Sequence, residues 1–230
     1  MNDNILNFPA PAPVRHTVFV VDDHPLMRES LTTLLDRQPD LLMCGQAGDS
    51  ITAYAEIERV QPEIAIVDLS LPGESGLELI KKFPTLARPP RALVLSMHDE
   101  AFFAERALRA GAHGYVMKHE TTDKVIEAVR RVLAGEVYVS GALANRFART
   151  LASGRGKASL PPIERLSDRE LEIFRMLGRG IETRRVAEEL RLSMKTVQAH
   201  CANIKDKLGL DNATELLREA VRWVEHENFR

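Results

Sequence analysis

Three carboxylates stand at the ends of short apolar runs. Asp22 and Asp23 follow the run at 17–21, and Asp68 closes the run at 63–68. Lys118 closes a further run at 114–118. Carboxylates held side by side repel one another, and a hard divalent cation that takes oxygen ligands and keeps its waters relieves that repulsion. Magnesium is the natural candidate. An aspartate can also accept a phosphoryl group covalently, provided that something neutralises the oxygens of the incoming group. The cation is one such group and Lys118 is another. A lone acid at a strand end is usually just solvated, so the chemistry rests on the constellation rather than on any one member.

The elements that must position these groups follow from the pattern. Runs at 17–21, 41–45, 63–68, 91–96 and 114–118 read as strands, and helical patterns at 25–37, 49–59, 75–83, 100–110 and 121–134 lie between or after them. Strand and helix alternating in this way predict a parallel sheet with helices on both faces. Open sheets of that kind place their reactive site beyond the carboxyl ends of the strands, where the strand order reverses. Before the first strand, residues 1–14 carry Pro9, Pro11 and Pro13 and are expected to form a loose tail. Residues 137–162 predict one helix near 140–151 and then a flexible basic linker rich in Gly, Ser and Pro.

The remaining residues, 163–230, are helical throughout. Ser167 and Glu170 have capping-box spacing, and Gly178 and Gly180 should stop the helix they open. A short helix at 183–190, a tight turn and a third helix capped by Ser193 follow. The apolar stripe of this third helix is Val197, Cys201, Ile204 and Leu208, and a fourth helix covers 212–227. A short helix, a tight turn and a capped second helix, apolar on one side only, is the pattern of a helix-turn-helix, whose second helix can enter the major groove of DNA. Its outward face would carry Lys195, Gln198, Ala199, Ala202 and Asp206. Gln can pair with adenine and Ala can touch a thymine methyl. Thr183, Lys195, Thr196, Asn203, Lys205 and Lys207 are suited to phosphate contacts, which fix position without reading sequence.

Composition limits the alternatives. The net charge of -2 hides a division: residues 15–136 hold 14 basic and 19 acidic groups, residues 137–162 hold 4 and 0, and residues 163–230 hold 13 and 13. DNA contact must therefore come from locally placed charge rather than from a basic domain. No apolar run approaches the roughly 20 residues of a membrane helix. The N-terminus lacks the basic and apolar regions of a secretory signal, so a cytoplasmic protein is expected. Cys44 and Cys201 lie far apart with no second ligand beside either, which suggests buried apolar residues rather than a disulfide or zinc site.

Four segments together resemble the receiver domain of two-component response regulators, in that family's order. They are Val21-Asp22-Asp23-His24-Pro25, Val67-Asp68-Leu69-Ser70-Leu71-Pro72-Gly73, Leu95-Ser96-Met97-His98-Asp99-Glu100 and Gly111-Ala112-His113-Gly114-Tyr115-Val116-Met117-Lys118. The C-terminal segments Leu166-Ser167-Asp168-Arg169-Glu170, Val186-Ala187-Glu188-Glu189-Leu190, Ser193-Met194-Lys195-Thr196-Val197-Gln198-Ala199-His200 and Ile204-Lys205-Asp206-Lys207-Leu208-Gly209 resemble the four-helix DNA-binding domain of the LuxR, NarL and FixJ group. Together the resemblances span nearly all of residues 15–226.

The resemblance implies a flavodoxin-like α/β receiver with a five-stranded parallel, doubly wound sheet (15–136), a linker (137–162) and an all-α four-helix helix-turn-helix domain (163–230). It implies that Asp68 takes phosphate from a phosphohistidine on a sensor histidine kinase. Asp23 would bind magnesium directly and Asp22 mainly through water, with Asp68 and the Ser70 carbonyl completing the protein's ligands. Lys118 would pair with the phosphoryl group, while Ser96 would move toward it and let Tyr115 swing inward. Gln198, Ala199 and Ala202 would meet bases of double-stranded DNA, and the fourth helix would form the dimer contact there. RNA polymerase is a further partner that such a regulator can have. One departure is the stretch Gly180-Ile181-Glu182-Thr183-Arg184-Arg185, where the family usually has a small residue, then Asn, Lys and an acid.

The resemblance suggests a regulator, not an enzyme. The rival reading, a phosphatase of the haloacid dehalogenase type, needs a second aspartate two residues after the nucleophile, where this chain has Ser70. The coupling expected of such a regulator is that phosphate favours a dimer and frees the reading helix. His24 and His98 read as structural or solvent-facing.

Overall fold

A computed structural model of the chain describes residues 15–152 and 162–228. The expected tail and the Gly/Ser-rich part of the linker fall outside the described residues.

Strands β1 (His16–Val21), β2 (Leu41–Ala47), β3 (Ile64–Val67), β4 (Arg91–Ser96) and β5 (Gly114–Met117) form one sheet in the order β2-β1-β3-β4-β5, every pair parallel. Helices α1 (Pro25–Asp36), α2 (Ser50–Val60), α3 (Gly76–Lys82), α4 (Glu100–Ala110) and α5 (Thr122–Leu133) alternate with them. The period-two alternation of strand side chains divides the core. Phe19 and Val21 of β1 pack with α2, α3 and α4 on one face, while Val18 and Val20 pack with Leu31 and Leu35 of α1 and with Val125, Val129 and Val132 of α5 on the other. β3 is buried along its whole length, which is why it reads as an unbroken apolar run. Each such buried side chain contributes about 1.5–3 kcal/mol relative to exposure.

The chain reverses direction across the sheet between β1 and β3, and the site is built there. Asp49, Ser75 and Asp99 cap α2, α3 and α4 by accepting backbone N–H groups of Thr52, Glu78 and Ala101.

After α5 the chain runs back along the free edge of β5. The Tyr115 N–H donates to the Tyr138 carbonyl at 2.8 Å and the Tyr138 N–H to the His113 carbonyl at 3.0 Å. Tyr138 thereby pairs with backbone groups of an edge that would otherwise leave them exposed. Helix α6 (Gly141–Ala152) follows and buries Leu143.

The C-terminal domain consists of α7 (Asp168–Gly178), α8 (Thr183–Glu189), α9 (Met194–Leu208) and α10 (Ala213–Asn228). The capping box forms: Ser167 Oγ accepts the Glu170 N–H, and the Glu170 carboxylate accepts the Ser167 N–H at 2.7 Å. Phe174, Val186, Val197, Ile204, Leu216 and Ala220 are all buried and belong to one apolar cluster. A Cβ on Gly178 would lie 2.4 Å from the Ala220 carbonyl oxygen, so a glycine is what lets α7 and α10 approach so closely. α8 and α9 meet in a turn at Arg191, which takes the left-handed conformation with φ 51°.

Candidate phosphoacceptor site and DNA-reading helix

The register Val21↔Val67 sets the next residues, Asp22 and Asp68, side by side at the switch point. The Asp68 N–H donates to the Val21 carbonyl at 2.8 Å and fixes that pairing. Lys118 reaches over from the end of β5, with Nζ 2.6 Å from Asp22 Oδ2 and 2.7 Å from Asp68 Oδ2. All three groups are buried, Asp22 to 2% and Asp68 to 3% exposure. Burial raises the Asp68 pKa to about 6; Lys118 opposes that rise and Asp22 adds to it. Burial alone would lower the Lys118 pKa, but Asp68 and Asp22 reverse this and it lies above the usual lysine value.

Asp23 and His24 complete the rim. One ligand atom from each of Asp22, Asp23, His24 and Asp68 lies within 4.8 Å of the others. Asp23 Oδ1 is buried and accepts no hydrogen bond; the His24 ring nitrogen 2.7 Å away is not in bonding geometry. Three carboxylates, one with a bare buried oxygen, fit a hard divalent cation. His24 was read from sequence as structural or solvent-facing. Its side chain is largely exposed, yet it borders the cluster.

Ser70 follows in the β3–α3 loop, its N–H 3.4 Å from Asp68 Oδ1. The tightness of this loop comes from Gly76, where a Cβ would stand 1.9 Å from the Asp68 carbonyl oxygen. Ser96 is fully buried and its Oγ accepts the His98 N–H at 3.1 Å. The Tyr115 ring lies inside, at 1% exposure. Its hydroxyl donates to the His98 carbonyl at 2.8 Å, a bond that holds the ring in place. Burial pushes the phenol pKa well above its usual value.

On α9, Lys195, Thr196, Gln198, Ala199, Ala202, Asn203 and Asp206 are exposed, while Val197 and Ile204 face the core. Thr183 and Lys205 are half-buried. Two of the expected phosphate contacts have other partners: the Thr196 hydroxyl lies 2.7 Å from Ser193 Oγ, and Lys207 donates to Glu170 at 2.6 Å.

The domains meet through α7. Arg106 of α4 donates to the carbonyls of Leu166 and Ile163 and pairs with Asp168 at 3.2 Å. Arg169 donates to the carbonyls of Leu71 and Gly73 at 2.8 and 3.1 Å. The Ser70 hydroxyl donates to Glu172 Oε1 at 2.7 Å, and His98 Nε2 lies 3.3 Å from the same oxygen. Trp223 meets Phe102 edge to face with centroids 5.0 Å apart. Arg191 approaches Asp23 at 3.5 Å. The receiver thus lies on α7 and leaves the outer face of α9 in solvent. Tyr138 pairs with the edge of β5, and α7 and α10 meet α4. Sequence reasoning missed Arg106, Arg169, Glu172 and Arg191, because each acts on a partner far away in the chain, and Gly76, whose contact is to the backbone of Asp68 across a turn.

A five-stranded 2-1-3-4-5 parallel sheet with an acidic cluster at its switch point, joined to a four-helix domain containing a helix-turn-helix, defines the class: a receiver coupled to a DNA-binding output. Residues 18–130 match the response regulator receiver domain and residues 164–220 match the bacterial regulatory proteins of the luxR family. The Fimbriae Z protein of Salmonella typhimurium is 35% identical over 201 residues, covering 87% of this chain and 94% of that one. The oxygen regulatory protein NreC of Staphylococcus epidermidis is 34% identical over 210 residues, covering 89% and 96%. A LuxR-family two-component response regulator from Aurantimonas matches with TM-score 0.56 and 32% identity, covering 60% of this chain and 99% of that one. RcsB of Salmonella enterica, bound to the rprA promoter in the presence of the phosphomimetic BeF3-, shares the fold with TM-score 0.58 at 24% identity, covering 89% and 97%. The chain belongs to the two-component response regulators with a LuxR-type helix-turn-helix domain. That family consists of transcription regulators, not enzymes.

Proposed function

We propose that Asp68 accepts a phosphoryl group from the phosphohistidine of a sensor histidine kinase and that the acylphosphate controls DNA binding by the C-terminal domain. The observation that carries this reading is the buried trio Asp22, Asp68 and Lys118, with Lys118 Nζ 2.7 Å from the acceptor. In the transfer an Asp68 oxygen bonds to phosphorus as the bond from phosphorus to the donor imidazole breaks, and the imidazole, protonated on its other ring nitrogen in the donor, leaves neutral with the electron pair of the broken bond. Lys118 sheds its pairing with Asp68 and balances the new charge. Magnesium, held by Asp23, Asp68 and the Ser70 carbonyl and by Asp22 through water, would neutralise the remaining phosphoryl oxygens. Ser96 and Tyr115, joined through the backbone of His98, carry the change toward α4 and β5.

The exposed face of α9 supports the second half of the proposal. Gln198, Ala199 and Ala202 touch base edges of double-stranded DNA; Lys195, Asn203, Lys205 and Thr183 contact phosphates, and Thr196 and Lys207 do so after leaving their present partners. The RcsB complexes with promoter DNA support the same use of the fold here. The phosphorylated chain acts as a homodimer, with RNA polymerase as a further partner, in the cytoplasm, where kinase domain and DNA are both reached. Among the described residues no helix is long and apolar enough to cross a membrane.

Incubation with magnesium and acetyl phosphate tests the acceptor. A hydroxylamine-sensitive phosphoryl group mapped to Asp68 and absent from Asp68→Asn is expected; labelling at another residue, or steady phosphatase turnover lost in that variant, overturns the proposal.

A further inference from the structure

Each polar group of Asp22 is held by a different part of the fold. Its N–H donates to the Ala47 carbonyl at 3.1 Å, Oδ1 accepts the His24 N–H at 2.8 Å, and Oδ2 pairs with Lys118 at 2.6 Å. The fourth group, the carbonyl, accepts from Arg28 Nη1 at 2.5 Å. Arg28 lies in α1, and its half-buried guanidinium rests against the bare backbone of Gly48, where a Cβ would stand 3.2 Å from Nη1. Gly48 lies between β2 and α2, so this one side chain ties the β1–α1 turn to the β2–α2 loop. The Asp22 carbonyl and the Asp23 N–H belong to one planar peptide. Fixing that carbonyl therefore fixes the plane from which the Asp23 side chain departs, and Asp23 Oδ1 is the buried oxygen that accepts no hydrogen bond.

We infer that Arg28 is a positioning residue for the cation-binding acids: seated between the Asp22 carbonyl and Gly48, its guanidinium holds the Asp22–Asp23 peptide in the orientation from which both carboxylates meet a divalent cation. The inference rests on the reading of Asp22, Asp23 and Asp68 as a cation site. The bond from Arg28 goes to backbone, so it orders the acids without occupying their ligand oxygens. Two effects of the guanidinium on a cation oppose each other. Its charge repels the cation, whereas its hydrogen bond orders the ligands before the cation arrives. Removing a group that orients metal ligands typically costs about 10–100-fold in affinity. A charge on a half-buried side chain is screened by water and salt and has the smaller effect. Arginine suits the task because its planar fork donates in a fixed direction while lying flat on backbone, which the compact ammonium of lysine cannot do.

Magnesium titration of the full-length chain by calorimetry, with no phosphodonor present, tests this in wild type, Arg28→Ala and Arg28→Lys. Arg28→Ala should bind magnesium about tenfold or more weakly. Arg28→Lys, which can still donate to the Asp22 carbonyl, should recover part of that loss. In labelling from acetyl phosphate, the magnesium needed for half-maximal rate should rise by the same factor in Arg28→Ala. A residue that only stabilised the fold would instead lower the metal-free Tm and leave the magnesium affinity unchanged. Should Arg28→Ala fail to fold, Gly48→Ala decides: it keeps the charge but crowds the guanidinium from its seat, and it should weaken magnesium binding, unchanged affinity there overturning the inference. The inference is also overturned if Arg28→Ala binds magnesium as tightly as wild type, if it binds more tightly, since repulsion by the charge then dominates, or if Arg28→Lys recovers nothing. A wild type that binds no magnesium overturns the cation reading of the acids, and the role of Arg28 with it; normal wild-type binding with unaffected variants overturns the role of Arg28 alone.

Discussion

Ser70 and Glu172 stand 102 positions apart in sequence and in different domains, yet the Ser70 hydroxyl donates to the Glu172 carboxylate at 2.7 Å. Ser70 also directs its N–H toward Asp68, so the loop that follows the acceptor is held from both sides. The residues of α7 that make this contact, Arg169, Glu172 and Arg175, are charged and buried. A helix of an isolated four-helix domain would present such residues to water. Their burial marks the face of α7 as an interface with the receiver, and the outer face of α9 remains in solvent.

Replacing Asp68 by Asn removes a carboxylate that burial and Asp22 both disfavour. We expect the variant to lose phosphoryl labelling and to gain up to about 2 kcal/mol of stability at neutral pH, part of the gain being offset by weaker pairing with Lys118. Urea unfolding in the absence of magnesium measures this; a destabilised variant would contradict the account of the acidic site.

The pH dependence has a definite sign. Asp68 titrates near 6 in the folded chain, above the ordinary value of 3.8. Its ionisation therefore destabilises the fold, with the cost absent below the ordinary value and complete above pH 6. Lowering pH from 7 to 5 should raise the Tm contribution of Asp68 in metal-free protein. Magnesium, which favours the ionised form, should remove that gain. Scanning calorimetry of wild type against Asp68→Asn, with and without magnesium, isolates the contribution as the difference between the two proteins.

Gly76→Ala should harm the site more than the fold. The new Cβ would stand 1.9 Å from the Asp68 carbonyl oxygen, so the backbone of the β3–α3 loop must shift. We expect a cost of about 1–3 kcal/mol and slower labelling. Wild-type labelling at wild-type stability would show that the loop tolerates the shift.

On DNA, Gln198 and Lys195 should fail differently. Gln198→Ala should cost about 1–3 kcal/mol on the preferred site and relax the preference at one base pair. Lys195→Ala should weaken binding to all sequences and reduce the salt slope by about 1. Fluorescence anisotropy over a salt series, on a duplex selected from random DNA and on its single-base variants, separates the two.

What could be read before the structure was what depends on local pattern. Strands were legible because β3 is an unbroken apolar run, and α7 because Ser167 and Glu170 carry the capping box. Asp22, Asp23, Asp68 and Lys118 were legible together because parallel topology sends every strand end to one rim. Glu172 was not, because nothing near it in sequence distinguishes a carboxylate buried by another domain from one in solvent. Gly76 was hidden likewise, since its contact is to backbone eight residues earlier across a turn. Tyr138 reads as ordinary linker, and only the free edge of β5 gives it a partner.

The central claim is that charge on Asp68 controls DNA binding, and one titration tests it most directly. A selected duplex is titrated with full-length chain in magnesium, with and without beryllofluoride, using wild type and Asp68→Asn. The account predicts tighter binding by wild type when the analogue is present, by about tenfold or more, and no response from Asp68→Asn. Equal affinity of wild type with and without the analogue, or an equal response from the variant, would contradict it.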